Sequence, residues 1–132
     1  MNIAFTGDLV LQEIVGKSDH IFKEVKNMID NEDLKLCVNL ETPFIEKGMK
    51  QIKNKISLYA YYESVEYLKY LNPHLINLSN NHINDYGNES AELTFKILKD
   101  QELDYYGVGL SGESNNIKLD KESKILQLSF CE

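Results

Sequence analysis

Side chains able to bind a metal or carry a proton follow directly after an apolar run in LSNNHINDYG, residues 78–87. The preceding residues, HLINL (74–78), have the composition of a buried strand, so the polar cluster begins where a strand leaves the sheet. Ligands of open α/β sheets bind at the carboxyl ends of the strands. A turn would explain the Asn-Asp-Gly end of the cluster. It does not explain Asn81 and His82, which are therefore candidates for a functional site.

Two carboxylates follow other predicted strands in the same way. Asp8 comes after NIAFT (2–6), and Glu41 comes directly after LKLCVNL (34–40). Right-handed crossovers keep successive parallel strands pointing in one direction, so we expect these groups and the polar cluster to meet at one edge of the sheet. Oxygen and imidazole donors suit Mg, Mn, Fe or Zn. For each residue taken alone, a turn or cap role remains the alternative.

Strand and helix patterns alternate along the chain, which predicts a single α/β domain over residues 1–132 with a largely parallel sheet flanked by helices. The predicted strands occupy residues 2–6, 34–40, 74–79 and 103–106. The predicted helices occupy residues 18–30, with Ser18 as the N-cap, 63–71 and 88–101. Residues 116–130 predict a C-terminal β-hairpin, and the lysine-rich residues 46–55 predict a solvated loop.

Charge and composition narrow the classes of function. The chain has 132 residues, 42% of them hydrophobic and 27% charged, and a net charge of −7, as in an ordinary soluble globular protein. An acidic protein is a poor partner for nucleic acid, because phosphate binding needs clustered Lys and Arg. We therefore expect no nucleic-acid partner, and any anionic substrate would need a bound metal as its counter-charge.

Targeting signals and cysteine usage point to the cytoplasm. No apolar run approaches the ~20 residues of a membrane span, and no signal peptide follows Met1. Cys37 and Cys131 each lie in an apolar run, which favours buried thiols over a disulfide. A leader or anchor trimmed from the chain would change this assignment.

Four motifs in order carry a resemblance to a known family: GD (7–8), NLETP (39–43), LSNNHINDYG (78–87) and YGVG (106–109). Together they resemble the CapA family of capsule synthesis proteins, which is associated with poly-γ-glutamate and related to the calcineurin-like metallophosphoesterases. The resemblance runs across most of the chain. Its most specific element is NNHxxDxG directly after an apolar strand.

The resemblance implies a metallophosphoesterase-like fold and a site with assigned roles. Asp8, Glu41 and Asn81 match metal-binding positions, and His82 matches the histidine that stabilises or protonates the leaving group. Asp85 would orient His82 or its loop, with an Asx turn as the equal alternative. The implied chemistry is attack by a metal-activated water on a phosphorus or carbonyl centre.

The resemblance also implies a second half of the domain with further histidine ligands, so we expect this chain to represent the N-terminal half. His20 and His74 are not placed to complete the site. The divalent metal (Mn, Fe, Zn or Mg) should therefore bind weakly. The apolar C-terminal hairpin also leads us to expect a homodimer.

Two alternatives remain open. One is a non-catalytic module of the same fold that binds a metal or an anionic polymer. The other, less favoured, is a nucleotide-binding protein that uses GVGLSG (107–112), which has the letters of a dinucleotide fingerprint. No helical pattern follows that segment, although the fingerprint requires one.

Overall fold

A four-stranded parallel sheet forms the centre of the protein. The computed structural model describes residues 2–12, 21–52, 56–107, 117–120 and 125–128. The strands lie side by side in chain order, with every neighbouring pair parallel: β1 (Asn2–Leu9), β2 (Leu34–Leu40), β3 (Leu75–Asn77) and β4 (Tyr105–Tyr106). Because all four strands run in one direction, their carboxyl ends meet at a single edge.

Three helices build the main core against one face of the sheet. They are α1 (Lys23–Asn31), α2 (Val65–Leu71), which follows a 3-10 turn at Tyr62–Ser64, and α3 (Asn88–Asp100). Side chains from all three join the alternating residues Leu36, Val38 and Leu40 of β2 in one buried cluster. None of the helices in the described part of the chain is long and apolar enough to cross a membrane.

The opposite face of the sheet carries a smaller cluster and a hairpin. Cys37, Leu75 and Tyr106 are buried together there. Strands β5 (Ile117–Asp120) and β6 (Ile125–Leu128) pair antiparallel as a separate two-stranded sheet. Gln127 of β6 is buried, and its side-chain amide donates to the Sγ atom of Cys37 at 3.6 Å. The hairpin therefore packs against this second face.

The two ends of the segment between β2 and α2 are hydrogen-bonded to each other beside the carboxyl edge of the sheet. Phe44 and Ala60 form an isolated parallel bridge, and the Ile45 amide donates to the Ala60 carbonyl at 2.9 Å. Within this segment, residues 46–52 contain no helix or strand, and Lys47 and Lys50 are exposed. The described part of the predicted lysine-rich loop is thus a solvated loop.

The predicted α/β fold with a C-terminal hairpin is confirmed, and several boundaries are corrected. Strand β1 runs on to Leu9, so Asp8 lies inside the strand and not after it. Helix α1 begins at Lys23, while the predicted N-cap Ser18 lies outside the described residues. Strands β3 and β4 are shorter than predicted. Cys37 is buried as predicted, and Cys131 lies outside the described residues.

Candidate functional site

Three polar residues lie in register across the carboxyl ends of the central strands. Asp8 of β1 is the register partner of Asn39 in β2, and Asn39 is the register partner of Asn77 in β3. We call Asp8, Asn39 and Asn77 the polar row. Asn39 follows Cys37 at a spacing of two, so the row lies on the face opposite the helices.

An irregularity in β1 brings Asp8 into this row. Phe5 pairs with Cys37, but the next pair joins Asp8 to Asn39, so three steps along β1 match two along β2. Without the extra residue, Gly7 would lie opposite Asn39, and the Asp8 side chain would project from the other face of the sheet, away from Asn39. The shift therefore places a carboxylate at the candidate site.

Asn39 joins the two predicted carboxylates. Its Nδ2 atom donates to Asp8 Oδ1 at 2.7 Å and to Glu41 Oε1 at 2.5 Å. Its Oδ1 atom accepts from Asn77 Nδ2 at 3.0 Å. The sequence reasoning missed both asparagines. The available signal was a lone polar residue just before the end of each of two apolar strands.

Glu41 is buried in an environment that disfavours its charge. Its side chain is 10% exposed, while Asp8 is exposed. Burial raises the pKa of the Glu41 carboxyl above its usual value, and the nearby charge of Asp8 raises it further. The hydrogen bond from Asn39 and the proximity of His82 act in the opposite direction. Two carboxylates held this close form a local concentration of negative charge.

The first asparagine of the loop after β3 holds that loop against β2. We call residues 80–87 the NNH loop. Asn80 is buried, and its Nδ2 atom donates to the Leu40 carbonyl at 2.8 Å. Its Oδ1 atom accepts the amides of His82 and Ile83, each at 3.0 Å. Asn80 therefore fixes the position of the His82 backbone next to the end of β2, which is followed by Glu41. The sequence did not reveal this role.

His82 is held between two carboxylates. Its Nδ1 atom lies 2.6 Å from Asp85 Oδ2, and its Nε2 atom lies 4.0 Å from Glu41 Oε2. Asp85 is fully buried, and the same Oδ2 atom accepts the Leu58 amide at 2.9 Å. Asp85 thus does more than form a turn: it contacts the imidazole and anchors a second loop.

Aromatic rings lie next to this pair. Tyr59 makes edge-on contacts with Tyr61 and Tyr86, with ring centroids 5.4 Å and 6.0 Å apart. Burial raises the pKa of the Tyr86 hydroxyl, and the neighbouring Tyr59 and Asp85 add to the shift. Tyr59 and Tyr86 each adjoin a residue of the Leu58–Asp85 hydrogen bond, so the aromatic group borders the NNH loop.

The structure brings together Asp8, Glu41, His82 and Asp85 through direct contacts or through Asn39. Asn81 lies in the same turn as His82 with an exposed side chain, and its share in a metal site stays a prediction. Among the described residues, no group of three or more His, Cys, Asp or Glu side chains is arranged to hold a metal ion. The described carboxylate pair has the oxygen chemistry that a hard divalent cation prefers.

The remaining predictions concern His20, His74 and the GVGLSG segment. These residues lie away from the candidate site or, in part, outside the described residues. His74 lines a cavity with Leu34 and Asn72 at the amino-terminal ends of the strands, so it lies away from the candidate site. His20 lies outside the described residues, as do residues 108–112 of GVGLSG. The nucleotide-binding alternative is therefore not tested by the structure.

Comparisons with known proteins match this chain to proteins of capsule synthesis. The sequence model of the family described as "Bacterial capsule synthesis protein PGA_cap" matches residues 2–132. A "Capsule biosynthesis protein CapA" of Bacillus anthracis is 30% identical over 118 residues, which cover 83% of this chain and 28% of that protein. A "PGA biosynthesis protein CapA" of Bacillus subtilis is 32% identical over 118 residues, covering 84% and 31% of the two chains. The matched segment is thus less than a third of each relative.

Proposed function

The chain belongs to the bacterial capsule synthesis family PGA_cap, and from that premise we propose that it carries part of a metal-dependent phosphoesterase-like site that acts in capsule synthesis. The observation that supports this proposal best is the contact between His82 and two carboxylates at the carboxyl edge of the sheet. The substrate class we propose is an anionic polymer such as poly-γ-glutamate, or a small phosphorylated precursor of it.

The residues that would hold the cation are Asp8, Glu41 and Asn81. The first two offer carboxylate oxygens that both accept from Asn39, and burial together with the nearby charge of Asp8 raises the pKa of Glu41. A cation bound there supplies charge neutralisation and an activated water. Because two carboxylates and one amide are few ligands, we expect weak binding of Mn, Fe, Zn or Mg by this chain.

His82 would act as the general acid. The Asp85 carboxylate contacts Nδ1 and orients the imidazole, as carboxylates do for histidine in other hydrolytic sites. Nε2 is the nitrogen on the side of Glu41, so it is the atom that would donate a proton to a leaving oxygen. The Leu58 amide on the same Asp85 oxygen keeps the carboxylate fixed while the proton moves.

Metal titration together with turnover tests this proposal. Calorimetry with Mn²⁺ should give weak binding that Asp8→Asn and Asn81→Ala reduce further and His82→Ala leaves nearly unchanged. Hydrolysis of a chromogenic phosphodiester in the presence of Mn²⁺ should be lost in His82→Ala. Asn84→Ala, at an exposed position of the NNH loop, serves as the control. Absence of both Mn²⁺ binding and turnover in the unsubstituted chain would contradict the proposal.

A non-catalytic module is the second candidate, because exposed lysines belong to a loop that contacts the NNH loop. Lys47 and Lys50 belong to the loop whose Ile52 amide donates to the Asp85 carbonyl at 2.9 Å. Such a loop would attract an anionic polymer toward an otherwise acidic chain. Binding of poly-γ-glutamate that Lys47→Glu and Lys50→Glu weaken, without any turnover, would favour this function over the first.

A further inference from the structure

We infer that Asn39 is the positioning residue of the candidate site: its amide fixes the orientation of the Asp8 and Glu41 carboxylates, and Asn77 in turn fixes the amide. Both protons of one NH₂ group go to the two carboxylates, at 2.7 Å and 2.5 Å. Asn39 lies next to both carboxylates. It is the register partner of Asp8 across the sheet, and it precedes Glu41 by two residues in the sequence.

The direction of each hydrogen bond is dictated by a backbone amide. The Ser79 N–H donates to Asn77 Oδ1 at 3.2 Å, so the Asn77 side chain presents Nδ2 to its neighbour. Asn77 Nδ2 donates to Asn39 Oδ1 at 3.0 Å, which leaves Asn39 Nδ2 facing the carboxylates. Ionised carboxylates only accept hydrogen bonds, so the opposite orientation of the Asn39 amide would set oxygen against oxygen. The backbone amide at Ser79 therefore orients the whole chain of hydrogen bonds.

A neutral amide suits this position better than a cation. Hydrogen bonds to charged carboxylates are stronger than neutral ones, so Asn39 can hold Asp8 and Glu41 close together. A Lys or Arg in its place would neutralise the pair and compete with a metal ion. Asn39 contacts one oxygen of each carboxylate, Asp8 Oδ1 and Glu41 Oε1, and the second oxygen of Glu41 lies 4.0 Å from His82 Nε2. The value of this arrangement for metal binding rests on the function proposed above.

Nuclear magnetic resonance of the metal-free protein tests the geometry without any metal. The two Asn39 side-chain amide protons should be resolved and slow to exchange. Asp8→Ala should move chiefly one of them and Glu41→Ala the other, while Asn77→Leu should move both. If the chemical shifts of the Asn39 amide protons did not change in Asp8→Ala and Glu41→Ala, the inference would be overturned, whether or not the chain binds metal. Signals that respond as described would support it even if Mn²⁺ did not bind, an outcome that would count against the proposed function alone.

A double-substitution cycle with Mn²⁺ tests the positioning role. Partners that orient metal ligands commonly change affinity by roughly 10- to 100-fold, and we expect a loss of that size in Asn39→Leu. Asn77→Leu should cause a smaller loss, and it should cause no further loss once Asn39 is Leu, because it acts through Asn39. Asn84→Ala is the matched asparagine control, and circular dichroism checks that each variant is folded. Unchanged affinity in Asn39→Leu, or losses that simply add, would overturn the inference.

Discussion

The imidazole of His82 and the carboxylate of Asp85 are in direct contact, with Nδ1 and Oδ2 separated by 2.6 Å. The pair lies three residues apart in one turn, and the Asp85 amide also donates to the His82 carbonyl at 2.9 Å. Asp85 is fully buried, whereas the His82 side chain keeps 19% of its surface exposed. The buried partner can thus orient a ring that is itself partly exposed.

The first prediction concerns this pair and rests on the proposed function. Asp85→Asn keeps the shape of the side chain but removes the carboxylate that orients the His82 ring through Nδ1. Turnover of a chromogenic phosphodiester should fall by about two orders of magnitude or more, within the usual range for an acid–base group. The double variant Asp85→Asn, His82→Ala should be no slower than His82→Ala alone. Full turnover in Asp85→Asn would show that Asp85 serves only to anchor the loop at Leu58.

The second prediction concerns the pH dependence of stability in the metal-free chain. Burial, and after it the charge of Asp8, raise the pKa of Glu41 above 4.5. The folded chain therefore binds the Glu41 proton more tightly than the unfolded chain does. Protonated Glu41 thus stabilises the folded chain at low pH, and this contribution is lost as pH rises through the raised pKa. Glu41→Gln keeps an acceptor for Asn39 and should increase the free energy of unfolding at pH 7, with the advantage fading toward pH 4. Urea titrations in the presence of a chelator measure this.

The control for that measurement is Glu92→Gln, at an exposed position of α3. It should have little effect on the free energy of unfolding. If Glu41→Gln destabilised the chain at pH 7, the carboxylate would be contributing net attraction, and the ranking of burial as the dominant effect would be wrong.

The third prediction concerns Gly87, which joins the NNH loop to α3. Its φ of +85° and ψ of −173° lie in a region that is essentially restricted to glycine. A Cβ atom there would also come within 2.5 Å of the Ile52 Cδ1 atom, but this end of an exposed side chain can move aside at little cost. Gly87→Ala should therefore lower the free energy of unfolding by about 1–3 kcal/mol.

Two other glycines separate the contributions to that loss. Gly48 has a φ of +98° but open space around its Cα, so Gly48→Ala reports backbone strain alone. Gly7 has neither a positive φ nor any atom within 4 Å of an added Cβ, so Gly7→Ala should have the smallest effect of the three. Equal losses in all three variants would contradict the role assigned to Gly87.

The fourth prediction concerns a buried hydroxyl that ties the segment after Glu41 to α3. Thr94 Oγ1 accepts the Phe44 amide at 2.8 Å and donates to the Ser90 carbonyl at 2.7 Å. Thr94→Val preserves the volume but leaves a buried amide without its acceptor, which costs about 1–3 kcal/mol. Ser64→Ala is the matched control, because Ser64 Oγ is buried without a hydrogen-bond partner among the described residues. Thermal unfolding should show a large loss for the first and little or none for the second.

The order of strands and helices could be predicted from the sequence, because apolar periodicity changes clearly between elements. The bounds of β2 were predicted correctly, since Leu34–Leu40 is apolar and ends at Glu41. The register shift in β1 could not be predicted, because NIAFTGDL gives no local sign that one extra residue is accommodated between Phe5 and Asp8. That shift decides which face Asp8 occupies.

Only those residues of the candidate site that follow predicted strands were identified from the sequence. Asp8, Glu41 and His82 were identified as polar groups that follow predicted strands, and the structure brings them together although Asp8 lies inside β1. Asn39 was missed because a polar residue inside a strand gains its meaning from its neighbour across the sheet. Asn80 and Asn81 are identical in type and adjacent, so the structural role of Asn80 could not be predicted. It follows from hydrogen bonds to the Leu40 carbonyl and to the His82 and Ile83 amides.

The last prediction is self-association through the hairpin. Strands of parallel sheets are normally covered on both faces, and here the helices cover one face while the hairpin packs against the other. Gln127 points toward Cys37, so its neighbours on β6 point outward: Leu126 and Leu128 are 54% and 51% exposed. Leu119, the register partner of Leu126, is 52% exposed, and the three leucines form an apolar outer face.

A second copy of the chain would bury this apolar face in a symmetric dimer, because identical patches can cover each other. Light scattering across a concentration series should show a mass that rises toward twice that of the chain. The double variant Leu126→Lys, Leu128→Lys should remain monomeric, since burying two charges at the interface costs more than the lost apolar contact returns. Ile56→Lys, at an apolar loop residue that is 83% exposed, should dimerise like the unsubstituted chain. A chain that stays monomeric at every concentration would mean that the hairpin leucines tolerate water.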